Sequence, residues 1–217
     1  MIMFTGLIER IGKLESIEVA ATGGCLRVRL ASPWKAPLAP GESVAVDGAC
    51  LTVTACDHTV FSFDVLQETL DRTVLGTRTA GSPLNLERAM RADGRFGGHM
   101  VSGHVDGMGT VSDIRRAGRD FVVAVTCPGA LLQDVIVKGS VALNGISLTV
   151  TATSQAAFEV HIIPHTWNHT TLSGIRPGDT LNIETDMVAK YIRGYLERKS
   201  AEHPQSLTLD ELHEAGF

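Results

Sequence analysis

Little in this 217-residue sequence points to the commoner kinds of chemistry. Its four cysteines, Cys25, Cys50, Cys56 and Cys127, show no CxxC spacing and have no histidine partner at zinc-finger distance, so neither structural zinc nor a disulfide framework is expected. Most of them read as buried free thiols. Basic residues are outnumbered, 19 Lys and Arg against 24 Asp and Glu for a net charge of −5, which excludes a general binder of phosphate backbones. No apolar run approaches the roughly 20 residues of a spanning helix. The start, Met1-Ile-Met-Phe-Thr-Gly, has no basic region followed by an apolar segment, so the chain is expected to be soluble and cytoplasmic. GxGxxG, Walker and nucleophile-elbow motifs are all missing.

What the chain does contain, it contains twice. Gly41-Glu-Ser-Val-Ala-Val-Asp-Gly-Ala-Cys-Leu-Thr-Val-Thr54 returns as Gly139-Ser-Val-Ala-Leu-Asn-Gly-Ile-Ser-Leu-Thr-Val-Thr151, with Asn144 standing 97 positions after Asp47. Asp-Gly and Asn-Gly between alternating apolar runs are the strongest short-range hairpin signal. Side-chain alternation turns Ala49, Leu51 and Val53 to one face and Cys50, Thr52 and Thr54 to the other. In the second copy Ile146, Leu148 and Val150 oppose Ser147, Thr149 and Thr151. Other blocks keep the same offset without insertion: Met3-Phe-Thr-Gly over Met100-Val-Ser-Gly, Phe61–Leu75 over Phe158–Leu172, and Leu84-Asn-Leu-Glu87 over Leu181-Asn-Ile-Glu184. Short strand-like runs broken by glycine and proline predict two small all-β barrels or sandwiches, spanning 1–97 and 98–186.

The bridge between repeats ends in Phe96-Gly-Gly98 and reads as a flexible or tightly turning connection. After Asp186 the period changes. Met187, Val188, Tyr191, Ile192, Tyr195 and Leu196 recur at helical spacing, which predicts one amphipathic helix to about Lys199 within a third segment, 187–217. Its apolar stripe is expected to pack on copies of itself in an oligomer or back onto a barrel of its own chain. Thr208, Glu211 and Gly216 suggest a short terminal helix.

Differences between the copies mark candidate chemistry. Cys50 stands over Ser147, Leu7 over His104, Gly41 over Lys138, Asp64 over His161 and Ala89 over Asp186. Packing alone would not favour exchanging apolar or absent side chains for titratable ones. Like pockets with unlike decoration suggest two similar ligands handled differently. His104 reads as a general acid or base, or as a surface histidine. Cys50 reads as a nucleophile if its pKa is lowered, or else as an inert buried thiol. Lys138 also fits a solvated loop, and Asp186 a helix cap. His99, five residues before His104, falls on the opposite face of an extended strand.

The opening Met-Phe-Thr-Gly, Asp-Gly-Ala-Cys-Leu-Thr-Val-Thr, Gly-Arg-Phe-Gly-Gly-His-Met-Val-Ser-Gly-His-Val-Asp-Gly, Asn-Gly-Ile-Ser-Leu-Thr-Val-Thr and Ile-Pro-His-Thr together closely resemble the single-polypeptide riboflavin synthase family over residues 3 to about 198. The resemblance implies tandem six-stranded Greek-key β-barrels and a C-terminal helix that joins three chains. It implies active sites between unlike barrels of neighbouring chains. The implied reaction is dismutation of two 6,7-dimethyl-8-ribityllumazine molecules to riboflavin and 5-amino-6-(ribitylamino)uracil, with neither metal nor redox cofactor.

Carried over by motif, the implied ligand-binding residues of the first barrel are Gly6, Leu7 and Ile8; Cys50, Leu51 and Thr52; and Asp64, Val65, Leu66, Gln67, Glu68 and Thr69. Those of the second are Gly103, His104 and Val105; Lys138; Ser147, Leu148 and Thr149; and Ile163, Pro164, His165, Thr166, Trp167 and Asn168. The resemblance also implies catalytic roles for Phe4, Ser43, Cys50, His104, Thr149 and Asp186. His104 with Thr149 is expected to handle proton transfer and positioning, while Ser43, Cys50 and Asp186 assist at the other ring. Ala49 stands where some members carry a second cysteine. The competing expectations are a non-catalytic lumazine- or flavin-binding chromophore protein of the same fold, and the flavin barrel of a reductase, which would need a nicotinamide domain after it.

Overall fold

The computed structural model describes residues 2–20 and 22–202. The Thr208–Gly216 segment expected to form a short helix lies outside them. The first repeat forms six strands, β1 (Arg10–Ala20), β2 (Gly23–Leu30), β3 (Ser43–Val46), β4 (Ala49–Asp57), β5 (Val60–Leu66) and β6 (Pro83–Arg88), with a short helix α1 (Gln67–Arg72) after β5. The second forms β7 (Gly107–Ala117), β8 (Asp120–Thr126), α2 (Gly129–Leu132), β9 (Ser140–Leu143), β10 (Ile146–Thr153), β11 (Ala157–Ile162), α3 (Pro164–Asn168) and β12 (Thr180–Thr185). Each set closes into an antiparallel barrel, in the order β1-β2-β5-β4-β3-β6 and its counterpart β7-β8-β11-β10-β9-β12. Consecutive hairpins β3-β4-β5 bring β5 back beside β2, the Greek-key connection the resemblance implies.

Turn chemistry and bulges explain the closure. Asp47 and Gly48 adopt φ of 45° and 85°, and Asn144 and Gly145 adopt 44° and 78°, so both hairpins turn with two left-handed residues, the geometry matched to strand twist. Register shifts fall at Leu14/Ser16 and Val53/Ala55, and again at Val111/Asp113 and Val150/Ala152. Bulges bend and twist a strand, which a six-stranded barrel needs in order to close. The inward faces fill with Leu14, Leu26, Val28, Phe61, Phe63 and Leu84 in one barrel, and with Val111, Val123, Val125, Phe158, Val160 and Leu181 at the same repeat positions in the other.

The barrels meet at their hairpin tips. A Cβ on Gly48 would lie 2.7 Å from Gly145 N, and one on Gly145 would lie 2.8 Å from Gly48 N, so only glycine permits this approach. Buried asparagines lock the contact. Asn85 Nδ2 donates to Asn144 O (3.1 Å) and Asn182 Nδ2 to Asp47 O (2.8 Å). Their side-chain oxygens accept from Thr171 N (2.9 Å) and Val74 N (2.8 Å) of the opposite barrel. The repeated Leu-Asn-x-Glu block therefore supplies the polar joint between barrels. One asymmetry stands out: Asp47 is fully buried with Arg78 Nη2 3.3 Å away, whereas Asn144 and Ile175 hold the equivalent places.

Helix α4 (Met187–Glu202) starts from Asp186, whose carboxylate accepts from Val188 N at 2.9 Å, an N-cap as expected. Lys190 and Arg193 tie it to Asp106 (2.6 Å) and Asp134 (2.7 Å) of the second repeat. The expectation that its apolar stripe folds back on its own chain fails, because the polar face makes those contacts. Val188, Tyr191, Ile192, Tyr195 and Leu196 are 52–69% exposed. Among the described residues no helix is long and apolar enough to cross a membrane.

Candidate functional site

Two crossing loops build the site. Phe4 and Val101 pair antiparallel between the barrels, with Phe4 N donating to Val101 O (2.8 Å) and Val101 N to Phe4 O (3.2 Å). Beyond that pair each segment runs to the opposite barrel. Gly6 O accepts from Ser147 N (2.8 Å), and Gly103 O accepts from Cys50 N (2.8 Å). Both glycines have positive φ, 76° and 79°, and a Cβ on either would sit 2.6 Å or 2.5 Å from the Cβ of Ser147 or Cys50. Ile8 packs on the second barrel's core and Val105 on the first's.

This corrects the grouping by repeat. Gly103, His104 and Val105 belong with Cys50, and Gly6, Leu7 and Ile8 belong with Ser147. The physical cause is the Phe4–Val101 bridge, which aims each loop across the joint instead of back along its own barrel.

Buried carboxylates hold the loops. Glu87 accepts from Thr5 N (2.7 Å), Thr5 Oγ1 (2.7 Å) and Gly6 N (2.9 Å). Glu184 does the same for Ser102 N (2.6 Å), Ser102 Oγ (2.8 Å) and Gly103 N (3.0 Å). Burial pushes both carboxyls above their ordinary pKa, while the donors pull the other way. Sequence reasoning aligned the two glutamates but did not read them as clamps; their recurrence beside the asparagines was the available signal.

In the first barrel Ala49, Cys50, Thr69, Arg72, Gly103 and His104 are among the residues lining a cavity of about 240 Å³. His104 is exposed there. The Cys50 thiol is pushed up by burial and further by the Glu184 charge, against a hydrogen bond with Ser43. At neutral pH it is a thiol, so adding it to a ring would need a base to remove its proton. Ser43 is buried, opposite Thr52 in the β3–β4 register, and also borders a larger cavity of about 630 Å³ with Leu7, Gly41, Ala89 and, from the bridge, Met90 and Arg91.

In the second barrel Ser147 faces Gly6 and one residue that the sequence reading set aside. Nδ1 of His99 lies 2.7 Å from Ser147 Oγ. The bridge is not a plain connection. A Cβ on Gly98 would fall 2.0 Å from Thr5 O, so this glycine lets His99 pass between loop and strand. Lys138 adopts φ of 66° where the first repeat has Gly41, a left-handed conformation costly for a side chain with a Cβ.

Other implied residues divide by orientation. Leu66 (70% exposed), Ile163 (53%) and Leu7 (50%) present apolar surface. Thr52 and Thr149 are exposed on the outward faces of β4 and β10, and Asp64 and His165 are also at the surface. Leu51, Val65, Leu148 and Trp167 turn inward as core, Trp167 stacking on Phe121 with ring centroids 4.0 Å apart, so their side chains do not face a ligand. Phe4 is likewise wholly buried between the barrels with Ala45, Val101 and Ala142, and supports the loops from behind. His104 lines the first-barrel cavity, whereas Thr149 stands on β10 of the second barrel.

Comparison with known proteins bears on the duplication and the fold. A family model described as the lumazine binding domain matches twice, at residues 5–89 and 102–186. The chain is 44% identical over 216 residues to the riboflavin synthase of Actinobacillus pleuropneumoniae, covering 99% of this chain and 100% of that one. It is 38% identical over 216 residues to that of Bacillus subtilis (strain 168), with the same coverage. Among solved structures, LumP complexed with 6,7-dimethyl-8-(1'-D-ribityl) lumazine superposes with a TM-score of 0.73 at 22% identity, covering 84% of this chain and 99% of that chain. LumP complexed with riboflavin gives 0.75 at 20% identity, with the same coverage. The LumP likeness speaks to fold; the duplicated match and the full-length identities go further, and on them this chain belongs to the riboflavin synthase family.

Proposed function

We propose that the chain converts two molecules of 6,7-dimethyl-8-ribityllumazine into riboflavin and 5-amino-6-(ribitylamino)uracil, one molecule giving a four-carbon unit to the other. The observation that carries this is the pair of like sites with unlike polar groups, Cys50 with His104 in one and Ser147 with His99 in the other. One compound serving as both donor and acceptor calls for that arrangement. One ring must lose a proton from its acidified methyl group, and the other must be opened to attack by addition of water or a side chain. Because His104 is exposed and Thr149 lies on the other barrel, their cooperation requires a second copy of the chain. The uncovered stripe on α4 supports a homotrimer that brings unlike barrels together. Stacking two rings in reactive register can itself supply ~7 to 11 kcal/mol of the barrier.

Limits at 1–97, 98–186 and 187–217 for the two binding barrels and the assembly segment go with this reading. A cytoplasmic setting does too, supported by four free cysteines.

The test is incubation of purified protein with the lumazine and no additive. Riboflavin and the ribitylaminouracil should appear in equal amounts. Tight lumazine binding without riboflavin would instead make this a chromophore-carrying protein, the competing expectation from the sequence.

A further inference from the structure

The two sites share a backbone plan, and the His99–Ser147 contact is where they part. The repeat equivalents of these residues are Ile2 and Cys50, so no imidazole backs the corresponding group in the first barrel. His99 is held from both ends: its N–H donates to Thr5 O at 3.2 Å, and Gly98 before it is pressed against Thr5 and Ser147. The ring is part-buried, and Nε2 is buried with no hydrogen-bond partner among the described residues. Burial lowers the ring's pKa, against a weaker pull upward from Asp186, so the imidazole is neutral at pH 7 and carries one proton.

That proton has two possible seats. On Nε2 it would be an orphaned buried donor, the arrangement folded proteins most avoid; on Nδ1 it is satisfied by Ser147 Oγ. With Nδ1–H donating, the Ser147 hydroxyl cannot direct its own proton at the ring, and turns it outward.

We propose that His99 is a positioning residue of the second-barrel site, fixing the Ser147 hydroxyl as a hydrogen-bond donor to the bound ring. The first barrel presents only the weaker S–H of Cys50 at that place. Two copies of one ligand are thereby held unequally, a carbonyl or ring nitrogen being gripped more firmly in the second barrel. This rests on the proposed function only in taking the two barrels to hold the same ligand.

The experiment uses full-length protein and riboflavin as an equilibrium probe, read by quenching of flavin fluorescence. His99→Leu should weaken one of the two binding steps roughly five- to tenfold, the worth of one neutral hydrogen bond, and leave the other unchanged. His99→Asn, whose amide occupies the place of Nδ1, should recover most of the loss; His99→Gln, whose amide falls at Nε2, should not. Nitrogen-15 spectra of histidine-labelled protein should show His99 in the Nδ1–H form. Should His99→Leu fail to fold, Ser147→Cys, which copies the first barrel, should weaken the same single step. Equal weakening of both steps, no advantage of Asn over Gln, or an Nε2–H ring would overturn the inference. A wild-type protein that binds riboflavin in two steps yet makes none from lumazine would refute the proposed reaction alone.

Discussion

The buried Asp47–Arg78 pair permits a quantitative prediction, because the second repeat supplies its own control in Asn144 and Ile175. Desolvation is the largest influence on Asp47, and it outweighs the attraction of Arg78 and the bond from Asn85 N. The carboxyl is pushed up from 3.8 to about 6. A native state that binds the proton more tightly than the unfolded chain is stabilised fully below pH 3.8 and loses that stabilisation as pH rises through 6. At 1.36 kcal/mol per pKa unit the loss amounts to about 3 kcal/mol. Copying the second repeat with Asp47→Asn/Arg78→Ile removes it: the amide oxygen can still accept from Asn85 N, as Asn144 Oδ1 accepts from Asn182 N at 2.7 Å. Above pH 7 the double variant should be more stable by about 1 to 3 kcal/mol, as expected when apolar or neutral groups replace a buried ion pair. Below pH 4 the two proteins should converge. Asp47→Asn alone should be the least stable, since its amide N–H faces the guanidinium. The assay is urea unfolding at fixed protein concentration and several pH values, followed by tryptophan fluorescence. Trp34 and Trp167 are buried in different barrels and report on each. Glu87 and Glu184 also titrate, but they are common to both proteins and cancel in the difference. A stability difference that stays constant from pH 4 to 8 would refute the reasoning.

Three further outcomes follow from the site. His104→Gln should lower riboflavin formation by roughly 10²-fold if the imidazole moves a proton in the rate-limiting step, and near-normal turnover would remove that role. Gly103→Ala combines a φ of 79° with a Cβ 2.5 Å from that of Cys50, so the loop must lift. Equilibrium titration should then show the first-barrel binding step weakened at least tenfold, with the second-barrel step intact. Lys138→Gly should relieve the left-handed strain and raise the unfolding free energy by about 1 kcal/mol while weakening ligand binding, a trade measurable on one preparation by melting and titration.

Local features of the fold were readable because local rules govern them. Asp47-Gly48 and Asn144-Gly145 demand left-handed turns, alternation sorts Leu51 from Cys50, and the helical period after Asp186 marks α4. The site was readable only as a set of parts. Nothing in strand periodicity says that Gly103 will reach Cys50 instead of its own Ser147; that follows from the Phe4–Val101 bridge, a contact between distant segments. His99 was discounted because an extended strand would place it opposite His104, whereas the close passage of Gly98 by Thr5 sets its direction through tertiary contact. Leu51 and Leu148, with Val65 and Trp167, show the converse limit: a motif carried over as a block includes residues whose side chains serve only the core.

The apposition of Gly48 and Gly145 bears on how such a protein can diverge. Two identical barrels meeting tip to tip would be bound by a true twofold axis, and any substitution near it would appear on both sides at once. An aspartate at the tip would then bring two buried carboxylates to a joint whose hydrogen bonds already cross from one half to the other. Joining the halves in a single chain breaks that symmetry at the level of inheritance while leaving the shape of the joint intact. Each half can then change separately, and Asp47 can face Asn144 where a dimer of equals would have to repeat one choice. The glycine contact keeps the halves aligned while the residues beside it become different.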